Sequence, residues 1–149
     1  MDKLILASKR FGKGKETAAI IMIICSLLAS LMGIVMFFGT LGDDSNKSFM
    51  VISIVLFVIG IWQLINGLKN YGVAISFVDI YSNKIKGKSF VKTLFFTENK
   101  DFEMDFNEIK NIDTSGNYVI LYTSYATYNC SALNADEIKA TIKKIINQN

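Results

Sequence analysis

Two long apolar blocks dominate the pattern of the chain. The first runs for 26 residues without a charge between Glu16 and Asp43, and the second for 21 residues between Lys47 and Lys69. A bilayer crossing needs roughly 20 apolar residues, so each block is long enough to cross. The polar turn Asp43-Asp44-Ser45-Asn46-Lys47 between them predicts a tight, antiparallel transmembrane hairpin over residues 17–70. Twelve Ile, Leu, Val and Phe residues lie in the first block. At roughly −0.3 to −0.6 kcal/mol each near a helix centre, they favour insertion by several kcal/mol. Small residues recur at Cys25, Ala29 and Gly33, and again at Ser53, Gly60 and Gly67. Each set shares a helix face, and small residues let helices approach closely in lipid, so these six are the candidate helix-packing residues. Neither block contains an ionisable acid or base, which gives no sign of an ion path or proton relay.

Beyond Tyr71 the period changes from helical to alternating. Val73–Tyr81 reads as a strand apolar on both faces, with Ser82-Asn83 as the turn out of it. Lys84, Lys86 and Lys88 then share one face of the next strand, and Asp101, Glu103 and Asp105 alternate with Phe102, Met104 and Phe106 on a later one. Glu108–Asp113, Tyr118–Ser124 and Thr127–Leu133 supply further strands, and residues 93–96 read either as strand or as an apolar loop. The chain ends in an amphipathic helix with Asn134 as its expected cap, Glu137 completing a capping box, and an apolar stripe through Ile138, Ile142, Ile145 and Ile146. The fold class is therefore a membrane α-helical hairpin followed by an α+β domain of short antiparallel strands closed by a C-terminal helix.

Charge adds orientation. Residues 1–16 carry five basic and two acidic side chains, whereas residues 71–149 carry nine of each. Basic residues concentrate on the cytoplasmic side of spanning helices, so the expectation is a cell-membrane protein with two spans and both termini cytoplasmic. Residues 1–16 are then a basic, solvated cytoplasmic tail, residues 17–70 the hairpin and residues 71–149 the cytoplasmic domain. The basic excess belongs to the membrane flank, which points away from nucleic acid.

Candidate chemistry is sparse. The chain has no histidine, which removes Ser-His and Cys-His arrangements and the common zinc sites. Cys25 and Cys130 fall in different compartments of the expected topology and do not form a disulfide framework. The acidic row at residues 101–105 projects parallel rather than converging carboxylates, so no metal is expected, and no cofactor-binding loop follows any strand. If the lysine and acidic strands are antiparallel neighbours in register, opposite charges pair across the ladder. In the competing arrangement, the lysines face the inner leaflet.

Residues 73–146 resemble the bacterial pleckstrin-homology-like (PH-like) and GRAM-like domains. The resemblance lies in Ile80-Tyr81-Ser82-Asn83-Lys84-Ile85-Lys86-Gly87-Lys88, Phe106-Asn107-Glu108-Ile109-Lys110-Asn111-Ile112, the Tyr118–Thr123 strand and Asn134-Ala135-Asp136-Glu137-Ile138. It implies a bent antiparallel sheet or partial barrel capped by the last helix. It also implies a head-group or partner contact at Lys84, Lys86 and Lys88. The expected function is a membrane-anchored, non-catalytic binding or scaffold module that recognises a protein partner or lipid head groups at the inner leaflet. The alternative is a small structural or regulatory subunit of a larger membrane complex, such as a transporter or immunity system, acting through its hairpin. The expected partners are the lipid bilayer and a protein, or a second copy of the chain.

Overall fold

The computed structural model describes residues 2–41 and 47–148. Of the predicted polar turn, residues 43–46 lie outside the described residues. Helix α1 (Lys13–Thr40) and helix α2 (Lys47–Ala74) each have 28 residues. Both are long and apolar enough to cross a membrane. At roughly 1.5 Å per residue each is about 42 Å long, against about 30 Å for a hydrocarbon core. Their polar ends, Lys13 to Glu16 and Lys69 to Ala74, therefore extend past the apolar stretch.

The helices pack through small residues, but not through every residue expected. Ser53, Gly60 and Gly67 of α2 are all buried, facing Ala19, Ser26, Ser30 and Gly33 of α1. A Cβ on Gly33 would come within 2.8 Å of the Phe57 nitrogen and the Ser53 carbonyl, and one on Gly60 within 2.9 Å of the Ser30 nitrogen. Cys25 is exposed and Ala29 only half-buried. The spacing explains the difference. A step of four residues turns about 40° past a full rotation, whereas a step of seven falls short by only about 20°, so a run of fours winds off the contact face. Residues Ala19, Ser26 and Gly33 keep the sevenfold step.

The domain is built from two antiparallel sheets. The first has the order β1-β2-β3-β4, with β1 (Leu4–Leu6), β2 (Phe77–Tyr81), β3 (Lys84–Lys92) and β4 (Thr97–Asp105). A 3-10 turn, Phe106–Glu108, leads to the second sheet of β5 (Ile109–Ser115), β6 (Tyr118–Thr123) and β7 (Thr127–Ser131). Helix α3 (Ala135–Ile146) closes the domain. Val78, Ile80, Ile85 and Met104 from the first sheet meet Ile112, Val119, Leu121 and Cys130 from the second, with Ala135, Ile138 and Ile142 of α3 completing one core. Asn134 does not cap α3 through its side chain, because its Oδ1 accepts the Lys9 N–H at 2.7 Å and its amide donates to Glu137 at 3.1 Å.

The N-terminal segment is part of this domain rather than a solvated tail. Leu4 pairs with Tyr81 and Leu6 with Ile80, so β1 forms the edge of the first sheet. The Ser8 N–H donates to Asp79 at 3.0 Å, Arg10 pairs with Asp79 at 3.4 Å and stacks 3.8 Å over the Phe77 ring. Leu133 N–H donates to the Lys9 carbonyl at 2.8 Å. The hairpin is thus inserted between the first and second strands of one sheet. A three-residue apolar run is too short to show a strand period, and its partner lies more than 70 residues downstream, which is why the sequence pattern alone did not reveal it.

A helix end leaves carbonyls without helical partners, and near the end of α2 side chains of the domain bond to those of Lys69, Gly72 and Val73. Ser131 Oγ lies 2.8 Å from the Val73 carbonyl and 2.7 Å from that of Ser76, while its N–H donates to Ser76 Oγ at 3.0 Å. Thr97 Oγ1 donates to the Lys69 carbonyl at 3.0 Å, and Asn99 Nδ2 to the Gly72 carbonyl at 2.7 Å. Gly72 is needed for this approach, since a Cβ there would sit 3.0 Å from the Thr97 carbonyl and closer still to its side chain. Ser131 and Ser76 are both fully buried. Ser131→Ala is therefore expected to remove the hydroxyl that the buried Ser76 carbonyl accepts from and to cost about 1–3 kcal/mol. Chemical denaturation of the detergent-solubilised chain checks this, and unchanged stability would show that the serine contacts do not hold the joint.

Candidate functional site

Strands β3 and β4 bring the expected lysine and acidic rows together. The register places Lys84 opposite Asp105, Lys86 opposite Glu103 and Lys88 opposite Asp101. Glu103 takes two lysines, Lys84 at 2.8 Å and Lys86 at 2.9 Å, while Lys88 reaches Asp101 at 3.6 Å. Asp2, at the N-terminal end of the chain, adds a second carboxylate to Lys84 at 2.5 Å. Hydrogen bonds from Lys84 hold the Asp2 and Glu103 carboxyls below their ordinary range, and the same two bonds hold the Lys84 ammonium above its own. The row is thus a matched ladder of charge in which each lysine already has a carboxylate partner.

Position along the strand matters as well. Lys92, at the other end of β3, lines a cavity with Ala18, Ala19 and Met22 of α1. At about 3.3 Å per residue, Lys84 stands about 26 Å from that end of the strand. The lysine ladder therefore climbs away from the helices.

The cavity at the joint has a volume of about 350 Å³ and sits where α1 begins, α2 ends and β3 meets β6. Its wall combines apolar surface from Phe11, Val73 and Met22 with the polar side chains of Lys15, Asn70 and Lys92. Phe11, Val73 and Phe90 form a small buried cluster beneath it, with Tyr118 packed edge-on against Phe90 at 5.4 Å. Lys15 lies 3.8 Å over the Phe11 ring, and Lys92 lies 5.8 Å from that of Tyr118. Two ammonium groups beside apolar surface suit an anion carrying a hydrocarbon part. Part of this site was visible in the sequence, since Lys15 belongs to the basic flank. Lys92 could not be found in this way, because its meeting with α1 depends on the return of β1 to the sheet.

Other reactive groups are bound into the structure. Cys130 is fully buried, and loss of solvation pushes its thiol well above the ordinary range, which suits a core residue rather than a nucleophile. Tyr125 donates to Glu108, which pulls the carboxyl down and pushes the Tyr125 hydroxyl up to about 12. Among the described residues, no three His, Cys, Asp or Glu side chains converge to hold a metal ion. No protein-family model, curated protein or solved structure matches the chain.

The ladder gives a definite pH dependence. The lowered carboxyls of Asp2 and Glu103 stabilise the fold above their ordinary values of 3.8 and 4.5, and that contribution is lost as pH falls through their lower folded values. The raised Lys84 contributes fully below its ordinary 10.5 and loses its contribution as pH rises beyond that. Lys84→Gln is expected to move the Glu103 titration up towards 4.5. Carboxyl NMR of the chain across acidic pH measures it, and an unmoved Glu103 would mean that the pair does not form in solution.

Proposed function

We propose that the chain is a membrane-anchored, non-catalytic binding module whose PH-like domain works at the inner leaflet, with lipid head groups as the ligand class. In this reading α1 and α2 cross the cell membrane and both termini are cytoplasmic. The observation that carries it is the joint. Thr97, Asn99 and Ser131 bond the carbonyls at the end of α2, so the domain is fixed to the helix ends rather than tethered by a linker. The pairing of β1 with β2 supports a same-side position for both ends of the hairpin, and the lysine-rich flank supports the cytoplasmic side. Sheets of four and three strands closed by a C-terminal helix support the PH-like reading.

The contact surface moves in this proposal. Lys84, Lys86 and Lys88 face carboxylates and lie up the strand from the helices, which favours a structural role for them. Lys15 and Lys92 line the cavity at the membrane end of the domain and are better placed to meet an anionic head group. A subunit acting through its hairpin would need its small-residue faces for a neighbour. Here Gly33, Gly60 and Gly67 serve the contact between α1 and α2.

Topology is open to direct labelling. In a Cys25→Ser, Cys130→Ala background, a cysteine replacing Ser115 is expected to resist an impermeant thiol reagent on intact cells, and one replacing Ser45 to react. The reverse pattern would put the domain outside. Ligand class is tested on the full chain purified in mild detergent, by mass spectrometry of the lipids it retains. A lysine near an anionic surface contributes about 1 kcal/mol, so the Lys15→Gln, Lys92→Gln double variant is expected to bind anionic phospholipid roughly 30-fold more weakly. Equal retention by parent and variant would remove the cavity from the reading and leave a protein partner as the ligand.

A further inference from the structure

We propose that the β3–β4 tip, Leu94-Phe95-Phe96, is a third point of membrane contact that dips into the head-group boundary of the bilayer crossed by α1 and α2. The inference rests on the membrane reading above and concerns a segment to which that reading gives no role.

The tip is strongly apolar and open. Leu94 is 75% exposed, Phe95 57% and Phe96 49%, with Val91 52% exposed at its base. A contiguous apolar patch of this kind on a small domain marks an interaction surface. The hydrogen bonds at the joint give its direction. Thr97 bonds to Lys69, and Asn99, two residues further along β4, bonds to Gly72, three residues further along α2. Strand β4 therefore travels along α2 towards its C-terminal end, away from the apolar block that stops at Leu68. Continued backwards from Thr97, the chain enters the tip heading towards that block. The β3 side agrees independently, because Lys92 shares a cavity with Ala18, Ala19 and Met22 near the start of the apolar block of α1.

The tip's chemistry fits the position. Thr93 closes it on itself, its N–H donating to the Phe96 carbonyl at 2.9 Å and its hydroxyl lying 2.8 Å from the same oxygen. A turn whose backbone groups bond to one another enters an apolar medium at lower cost than an open loop. Leu and Phe side chains gain by burial at the acyl boundary, while lysines beside them meet the phosphates. Lys92 and Lys15 stand at the base of the tip in this arrangement.

The test uses the full chain in phospholipid nanodiscs, with lipids brominated at a shallow or a deep acyl position as quenchers. Trp62 is the only tryptophan and lies within the apolar block of α2, 69% exposed on its surface, so its quenching reports the hairpin itself. In a Trp62→Phe background, Phe95→Trp is expected to lose emission with shallow bromines and to shift blue, while Tyr125→Trp, at the opposite end of β6 from the cavity, keeps its emission. If Trp62 is quenched but Phe95→Trp behaves like Tyr125→Trp, the tip does not enter the bilayer and the inference fails while the membrane reading stands. If Trp62 itself is unquenched by either lipid, the membrane reading fails and the inference falls with it.

Discussion

The C-terminal end of α2 is the constraint on which the rest of the structure depends. A helix leaves its last carbonyls without partners, and burying them bare costs about 1–3 kcal/mol each. Asn99 of β4 meets this demand at Gly72, and Ser131 of β7 with Ser76 of the short link meets it at Val73, while Thr97 of β4 adds a bond one turn back at Lys69. Thr97, Asn99 and Ser131 are fixed by the sheets that carry them. The helix therefore does more than end near the domain, since the domain's strands are the cap of the helix. The orientation of the sheets, and with it the cavity and the β3–β4 tip, follows from this arrangement.

A second constraint comes from the N-terminal segment. Asp79 is one carboxylate in the middle of β2, yet it accepts from Ser8 twice and pairs with Arg10, the only arginine in the chain. With Lys9 held by Leu133 and Asn134, and Phe11 buried beside Val73 and Phe90, the start of α1 is fixed as firmly as the end of α2. The two helices enter and leave through neighbouring points of the same domain. Their packing through Gly33, Gly60 and Gly67 then continues a separation already set outside the apolar stretch.

Elements with a strong local period were legible in the sequence. The hairpin could be read from the length of two charge-free blocks, the alternating strand around Met104 from its period, and α3 from the stripe through Ile138 and Ile142. The register of Lys86 against Glu103 was legible as one of two arrangements, because charge complementarity constrains a ladder. What escaped depended on distant partners. Leu4–Leu6 has no period long enough to announce a strand. The Asn134 side-chain Oδ1 was diverted from its helix by the Lys9 N–H, a competition invisible in a local window. Cys25 lay on a face chosen by a step of four, which winds off a helical contact. The cavity escaped for the same reason as β1: Lys92 and Lys15 lie 77 positions apart, and only the closed sheet joins them.

The insertion of the hairpin between β1 and β2 bears on how the protein is made. Synthesis delivers β1 first, yet its partner exists only after both helices have left the ribosome, so the edge strand must wait for the remainder of its sheet. If one helix failed to cross, β1 and β2 would be left on opposite sides of the membrane, and the sheet could not be completed. In the membrane reading proposed above, completion of the sheet therefore requires both helices to cross. A chain with one helix left uncrossed would keep the β2 edge without the strand that covers it.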